Sequence, residues 1–168
     1  MATLFNSNSD RLAFLSNFYM APFVAQFRGH MILFRSTEHY YQAHKTKDIG
    51  NINKILTSVT GAKAKYFGSA KSGCIIVEGF DDKRSKIMYK AVRYKFAQNP
   101  LLWKLLKQTK GKLVEDAPWD DYFGSGRDGN GKNVLGNLLT VLRDSGFEDM
   151  GDYRPKVKLK LIYNTLPE

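Results

Sequence analysis

The sequence is poor in everything that would tie it to disulfides, metals or membranes. A single cysteine, Cys74, leaves no internal disulfide to form and points to a reducing compartment. It stands in the apolar run Cys74-Ile75-Ile76-Val77, where a buried structural thiol is the expected state. Histidine is scarce too: His39 and His44 lie five residues apart, off the one-turn spacing of metal-binding helices, and no Cys-Cys pair joins them or His30. No metal site and no redox cofactor is therefore expected. A Gly-x-Ser-x-Gly elbow, a complete Gly-x-x-x-x-Gly-Lys-Ser/Thr phosphate loop and the alternating acids of a calcium loop are all missing. No apolar run approaches the ~20 residues that span a bilayer, and no basic segment followed by an apolar core opens the chain. The expectation is a soluble, cytoplasmic protein without membrane contact.

What is abundant is positive charge and aromatic surface. Across 168 residues, 26 Lys and Arg stand against 16 Asp and Glu, a net charge of +10, and 13% of the residues are Phe, Trp or Tyr. The length suits one domain with a proper core, and the charge favours polyanionic partners such as nucleic acid or nucleotides. Residues 1–151 are expected to form that domain, with a basic strand or tail, residues 152–168, packed on it.

Chemistry concentrates in Phe34-Arg35-Ser36-Thr37-Glu38-His39-Tyr40-Tyr41-Gln42-Ala43-His44-Lys45. Ser36 or Thr37 can cap a helix there, with Glu38 in the first turn, where the helix dipole favours a carboxylate. At 3.6 residues per turn Glu38, Tyr41, Gln42 and Lys45 then share one face. A solvated helix face has the same pattern, but Phe34, Tyr40 and Tyr41 are more rings than such a face needs.

The flanking segments read as walls. Phe14 to Tyr19 is an aromatic loop in which Asn17 can bond a ligand or its own backbone. Phe23 to Phe34 predicts a hairpin about Arg28-Gly29-His30. Ile49, Ile52, Ile55 and Leu56 mark one face of a helix read as a mobile element or lid. Thr60 and Gly68 bound a short helix carrying Lys63 and Lys65, either a phosphate contact or a solvated lysine. Gly73 to Gly79 reads as a strand. A long helix runs from a cap at Asp81 or Asp82 to Asn99, its core face Ile87, Met88, Ala91, Val92 and Phe96. Its basic residues, including Arg84, Arg93 and Lys95, serve solubility or anion contact. Pro100 starts a further helix that ends at Gly111.

Glu115 to Asn133 then sets acids and rings, including Trp119, Asp120 and Phe123, before the glycines Gly124, Gly126, Gly129 and Gly131. Such a loop can bring backbone N–H groups close to a ligand. Asn133 opens a last helix to Ser145-Gly146. Lys156-Val157-Lys158-Leu159-Lys160-Leu161 alternates as a strand whose lysine face either protects an edge or meets nucleic acid. With metal and nucleophile chemistries lacking their motifs, a carboxylate pair is left, a permissive match to N-glycosidic cleavage through an oxocarbenium-like sugar.

Leu15 to Tyr19, Ser36 to Lys45, Ala64-Lys65-Tyr66-Phe67-Gly68, Ile87-Met88, Lys95-Phe96, Glu115 to Gly126 and Asn133-Val134-Leu135-Gly136 occur in the order of the NADAR, or YbiA-like, family, which the chain resembles over residues 14–144. The resemblance implies a single compact, mainly helical α+β domain with a few short strands. It implies an N-glycosidase acting on an ADP-ribosylated nucleobase, such as ADP-ribosyl-guanine in DNA, or on a riboflavin-pathway ribosylamine, without a cofactor. On that reading Glu38, Lys45 and Asp120 are the catalytic candidates. Asn17, Phe18, Tyr41, Lys65, Trp119, Phe123, Gly124, Gly126 and Asn133 are the substrate-binding candidates. Phe123 and Phe80 stand where the family usually has Trp, which bears on the base or sugar accepted. The alternative class is a non-catalytic ADP-ribose or nucleic-acid binding module.

Overall fold

The computed structural model describes residues 1–147 and 163–167. Its elements are β1 (Thr3–Phe5), β2 (Phe23–Phe27), β3 (His30–Phe34), α1 (Thr37–Ala43), α2 (Ile49–Thr57), α3 (Gly61–Phe67), α4 (Phe80–Gln98), α5 (Pro100–Gln108), β4 (Leu113–Glu115) and α6 (Val134–Ser145). The fold is α+β and mainly helical. β2 and β3 form the predicted antiparallel hairpin, with Phe23 opposite Phe34 and Phe27 opposite His30. Arg28 and Gly29, both at positive φ, make its turn. β1 pairs in parallel with β4, Thr3 against Leu113 and Phe5 against Glu115, an association of segments far apart in the sequence that no local pattern announces.

Two apolar clusters make the core. One joins β1, α4, α5, α6 and the aromatic loop through Phe5, Leu15, Met88, Phe96, Leu113 and Leu139. The other joins the hairpin to α2 and α3 through Phe23, Ile32, Phe34, Ile52, Ile55 and Ala64. α1 is wedged between them: Tyr41 belongs to the first cluster, Tyr40 and Ala43 to the second. All seven of its residues are buried, so its polar face is enclosed rather than solvated. Ser36 caps it, with Oγ receiving the His39 N–H and lying 2.7 Å from His39 Nδ1. His39 Nε2 is 3.0 Å from the Ser58 carbonyl and His44 Nδ1 2.7 Å from the Tyr40 carbonyl, so both rings are structural fasteners.

Several expectations are corrected. α2 is no lid: Ile52 and Ile55 are fully buried and Asp48 caps its start. Residues 73–79 form no strand. The segment is held as a loop by Val77 N–H donating to the Lys45 carbonyl (2.7 Å), with Ile75 and Ile76 exposed. α4 is capped by Gly79 in the left-handed region (φ 69°), which puts Asp81 and Asp82 inside its first turn. Lys95 is not a surface charge but a core residue, 1% exposed, whose ammonium donates to the Ser16 carbonyl (3.0 Å). α5 ends at Gln108, before Gly111. The strand expected over Lys156–Leu161 lies outside the described residues. Beyond it, Tyr163 bridges β3 through hydrogen bonds with Met31 and Leu33, and Leu166 packs against α2, bonded to Asn53.

Candidate active site

A cavity of about 210 Å³ opens between the aromatic loop, α1, α3, α4 and the segment after β4. Glu38, Tyr41, Gln42 and Lys45 all line it, the stripe that helical spacing puts on one face. Lys45 lies past the end of α1, but its N–H still donates to the Gln42 carbonyl (3.0 Å), which extends the turn and keeps its side chain on that face. Asn17, Phe18, Lys65, Trp119, Asp120 and Phe123 complete the expected set on the lining.

Glu38 is 5% exposed. Gln42 Nε2 donates to its Oε1 at 2.6 Å, and its backbone N–H donates to the Asn17 carbonyl (3.1 Å). The Thr37 hydroxyl reaches the same carbonyl and the Asn17 side-chain oxygen, so the loop and the helix start are one unit. Burial raises the Glu38 carboxyl above its ordinary range; the Gln42 donor and the Lys65 and Lys45 charges oppose this, while Asp120 adds to it. Burial likewise pushes the Lys45 amine down, against the pull of Glu38. Lys45 Nζ sits 5.3 Å from the Tyr41 ring centre and Lys65 Nζ 5.8 Å from that of Phe18. Tyr41 meets Phe80 and Phe123 edge to face, and Arg84 lies 3.4 Å over the Tyr122 ring.

Gly68 explains how Gln42 is aimed, because a Cβ there would collide with the Gln42 amide oxygen. That oxygen is buried with no hydrogen-bond partner among the described residues.

Three expected contact residues do not line the cavity: Gly124, Gly126 and Asn133. A Cβ on Gly124 would lie 2.5 Å from the Ala117 Cβ, and Gly126 takes a φ of 69° with its own loop packed around it. The glycines thus let the loop fold on itself. Asn133 is 4% exposed; its amide donates to the Leu113 carbonyl (2.8 Å) and accepts from the Glu115 N–H (2.9 Å), tying α6 to β4.

Reading the residues named neither Glu115 nor Arg84 as a site residue, though both line the cavity. Glu115 faces Glu38, Asp120 and Lys65 from β4, and burial with the neighbouring acids pushes its carboxyl up to about 7. Arg84 enters from the first turns of α4. The acid-rich stretch signalled Glu115, but nothing local separates it from Asp116, which is exposed. Among the described residues no group of three or more His, Cys, Asp or Glu is placed to hold a metal ion.

The arrangement is a pocket with a buried carboxylate bonded by an amide and under the charge of two lysines on the same lining. The chain is similar to known proteins. N-glycosidase YbiA of Escherichia coli is 34% identical over 141 residues, which cover 83% of this chain and 85% of that protein. A riboflavin biosynthesis protein of Vibrio vulnificus is 33% identical over 141 residues, and the chloroplastic riboflavin biosynthesis protein PYRR of Zea mays 35% identical over 126. The matched part of this chain spans 37% and 20% of those two longer proteins. The NMR structure of E. coli YbiA superimposes with a TM-score of 0.73 at 30% identity, covering 93% of this chain and 91% of that one. With the NADAR domain matched across residues 4–145 as well, the chain belongs to the NADAR family.

Proposed function

We propose that this protein is an N-glycosidase that hydrolyses the bond between a ribose carbon and a nucleobase-type nitrogen. The observation that carries the reading is Glu38: a carboxylate 5% exposed, fixed by Gln42, facing Lys45 and Lys65 in an aromatic-walled cavity. The relatives named N-glycosidase YbiA support the same class. A carboxylate raised toward neutrality can accept a proton from water and face the positive charge that develops on the sugar. Lys45 and Lys65 hold Glu38 electrostatically, and Lys65, on the rim helix α3, is suited to a phosphate. Asn17, Phe18, Tyr41 and Phe123 shape the pocket around sugar and base.

The cavity, about 210 Å³, is smaller than the ~300–1,000 Å³ of pockets for drug-sized ligands. That size favours a compact ribosyl phosphate, such as a riboflavin-pathway ribosylamine, the pathway named in two relatives. An ADP-ribosylated nucleobase is the second reading. It is supported by a neighbouring cavity of about 440 Å³ that shares Trp119, 77% exposed, and includes Arg127. Incubating the pure protein with a phosphoribosylaminopyrimidine, ADP-ribosylated DNA and NAD-derived nucleotides, with mass detection of released base and sugar, separates these readings. Binding without release from any of them would instead make the protein a recognition module.

A further inference from the structure

We infer that Glu115, rather than Asp120, is the second catalytic carboxyl of this site, the acid that gives a proton to the departing nitrogen. The inference rests on the N-glycosidase reading and adds a role that the reading leaves open. Its first support is the way the residue is held. β4 pairs with β1 so that Glu115 sits opposite Phe5, and Asp116 N–H donates to the Phe5 carbonyl (2.8 Å). The Glu115 N–H donates to Asn133 Oδ1 (2.9 Å), and its carbonyl accepts from both Ala117 N–H (3.0 Å) and Ser125 N–H (2.9 Å). Every backbone polar group of Glu115 is thus engaged, and its side chain lines the cavity across from Glu38. The backbone that carries the carboxyl is thus fixed at the cavity wall.

Asp120 is arranged for a different job. Its Oδ1 accepts from Tyr122 N–H (3.0 Å) and Phe123 N–H (2.8 Å), the side-chain turn that aims the Phe123 ring at Tyr41. The charges around the two remaining carboxyls divide the roles. Burial raises Glu38 as well, but the Gln42 amide and the Lys65 and Lys45 charges oppose the rise and favour its ionised form. Glu115 faces Asp120 on its own segment and Glu38 on α1, with Lys65 on α3 and Lys95 on α4 as weaker opposing charges. Burial and the two acids hold it protonated to about pH 7. Both carboxyls are raised by burial, but donors and cations gather on Glu38 while acids flank Glu115, and such unequal surroundings suit one base and one acid.

The step balances. The bond from the ribose anomeric carbon to nitrogen breaks with its electron pair on nitrogen, which takes the Glu115 proton and leaves as a neutral amine. Water adds to the anomeric carbon and loses a proton to Glu38. Exchange with solvent then returns Glu115 to the acid form and Glu38 to the carboxylate. The products are free sugar and amine, with one water consumed.

The test is the pH dependence of kcat/KM on a phosphoribosylaminopyrimidine for wild type, Glu115→Gln, Glu115→Asp and Asp120→Asn. The wild-type rate is expected to fall above about pH 7, where Glu115 loses its proton. Glu115→Gln should lower kcat/KM by ~10²–10⁴-fold and remove that alkaline limb, because the amide cannot give up a proton. Glu115→Asp should recover part of the rate with the limb intact, and Asp120→Asn should keep it too. A Glu115→Gln enzyme that retains the limb, or that works within tenfold of wild type, overturns the assignment while leaving the N-glycosidase reading standing. Failure of wild type to release base from any ribosyl substrate sinks both.

Discussion

Glu38 is where a single atom's chemistry decides the outcome. Replacing it with Gln keeps the shape but not the charge, so the cavity should still bind a ribosyl ligand while turnover drops by ~10²–10⁴-fold. Calorimetry of binding beside a product assay checks this, and unchanged product formation removes Glu38 from the reaction. Lys95 shows the opposite relation, a charge kept for placement. Its ammonium holds the Ser16 carbonyl next to Asn17, whose own carbonyl receives the Glu38 N–H. Burial pushes Lys95 down to about 7, against ~10.4 in an unfolded chain. Between those values the unfolded chain holds one proton more, so raising the pH favours folding by up to ~1.4 kcal/mol per unit. Lys45, also pushed down by burial, acts with the same sign. Below pH 7, Glu115 and His44 act with opposite signs, one binding extra proton when folded and the other less. Stability from urea unfolding should therefore rise from pH 7 to 9, and Lys95→Met should remove most of the rise. An unchanged slope in the variant would mean that Lys95 is charged in the fold across that range.

At the scale of elements, α1 and β4 carry the carboxyls and the rest of the chain holds these two in register. α1 is short, seven residues, and too short to be stable alone. It owes its order to burial between two apolar clusters. β4 is shorter still, and Asn133 is the clamp that joins it to α6. Asn133→Ala deletes both side-chain bonds, leaving the buried Leu113 carbonyl and the Glu115 N–H without that partner, and it forces Ala into a φ of 48°. The cost should be roughly 2–4 kcal/mol from the lost bonds and the strain together. KM at a temperature where the variant stays folded should change little. A large rise in KM with unchanged melting temperature would instead make Asn133 a ligand contact.

For the whole molecule the question is what +10 is for. Part of that charge is structural: Lys95 is buried, Arg93 packs on Tyr89, and Lys107 donates to the Arg143 carbonyl. The lysines of Lys156 to Lys160 are expected to meet phosphates if the substrate is carried by nucleic acid. In that case affinity for ADP-ribosylated DNA should fall steeply between low and physiological salt. Changing Lys156, Lys158 and Lys160 to Gln should flatten the salt slope by up to about three counterions. This triple change is a better probe than truncation after Gly151, which would also remove Leu166 from its place against α2. Binding indifferent to salt would leave a free metabolite as the substrate.

Local order determined what could be read from residues alone. The hairpin, the Ser36 and Thr60 caps and the stripe Glu38, Tyr41, Gln42 and Lys45 follow from neighbours within a turn or two, and they stand as the periodicity requires. The ordered family blocks carried the fold class with them. Tertiary structure decided the rest, because burial depends on what arrives from far along the chain. Lys95 reads as one more basic residue on a basic helix until the loop 79 residues away offers it a carbonyl in the core. Glu115 cannot be told from Asp116 until β1 pairs with β4, which leaves Glu115 partly buried among Glu38, Asp120 and Lys65 while Asp116, also on the cavity lining, stays exposed. The glycines after Phe123 permit close approach, but whether to a ligand or to their own loop was set by the packing of Ala117 and Gly131 against them. Local pattern supplies the side chains; only the long-range contacts settle which of them lose water, and loss of water is what shifts a carboxyl toward catalysis.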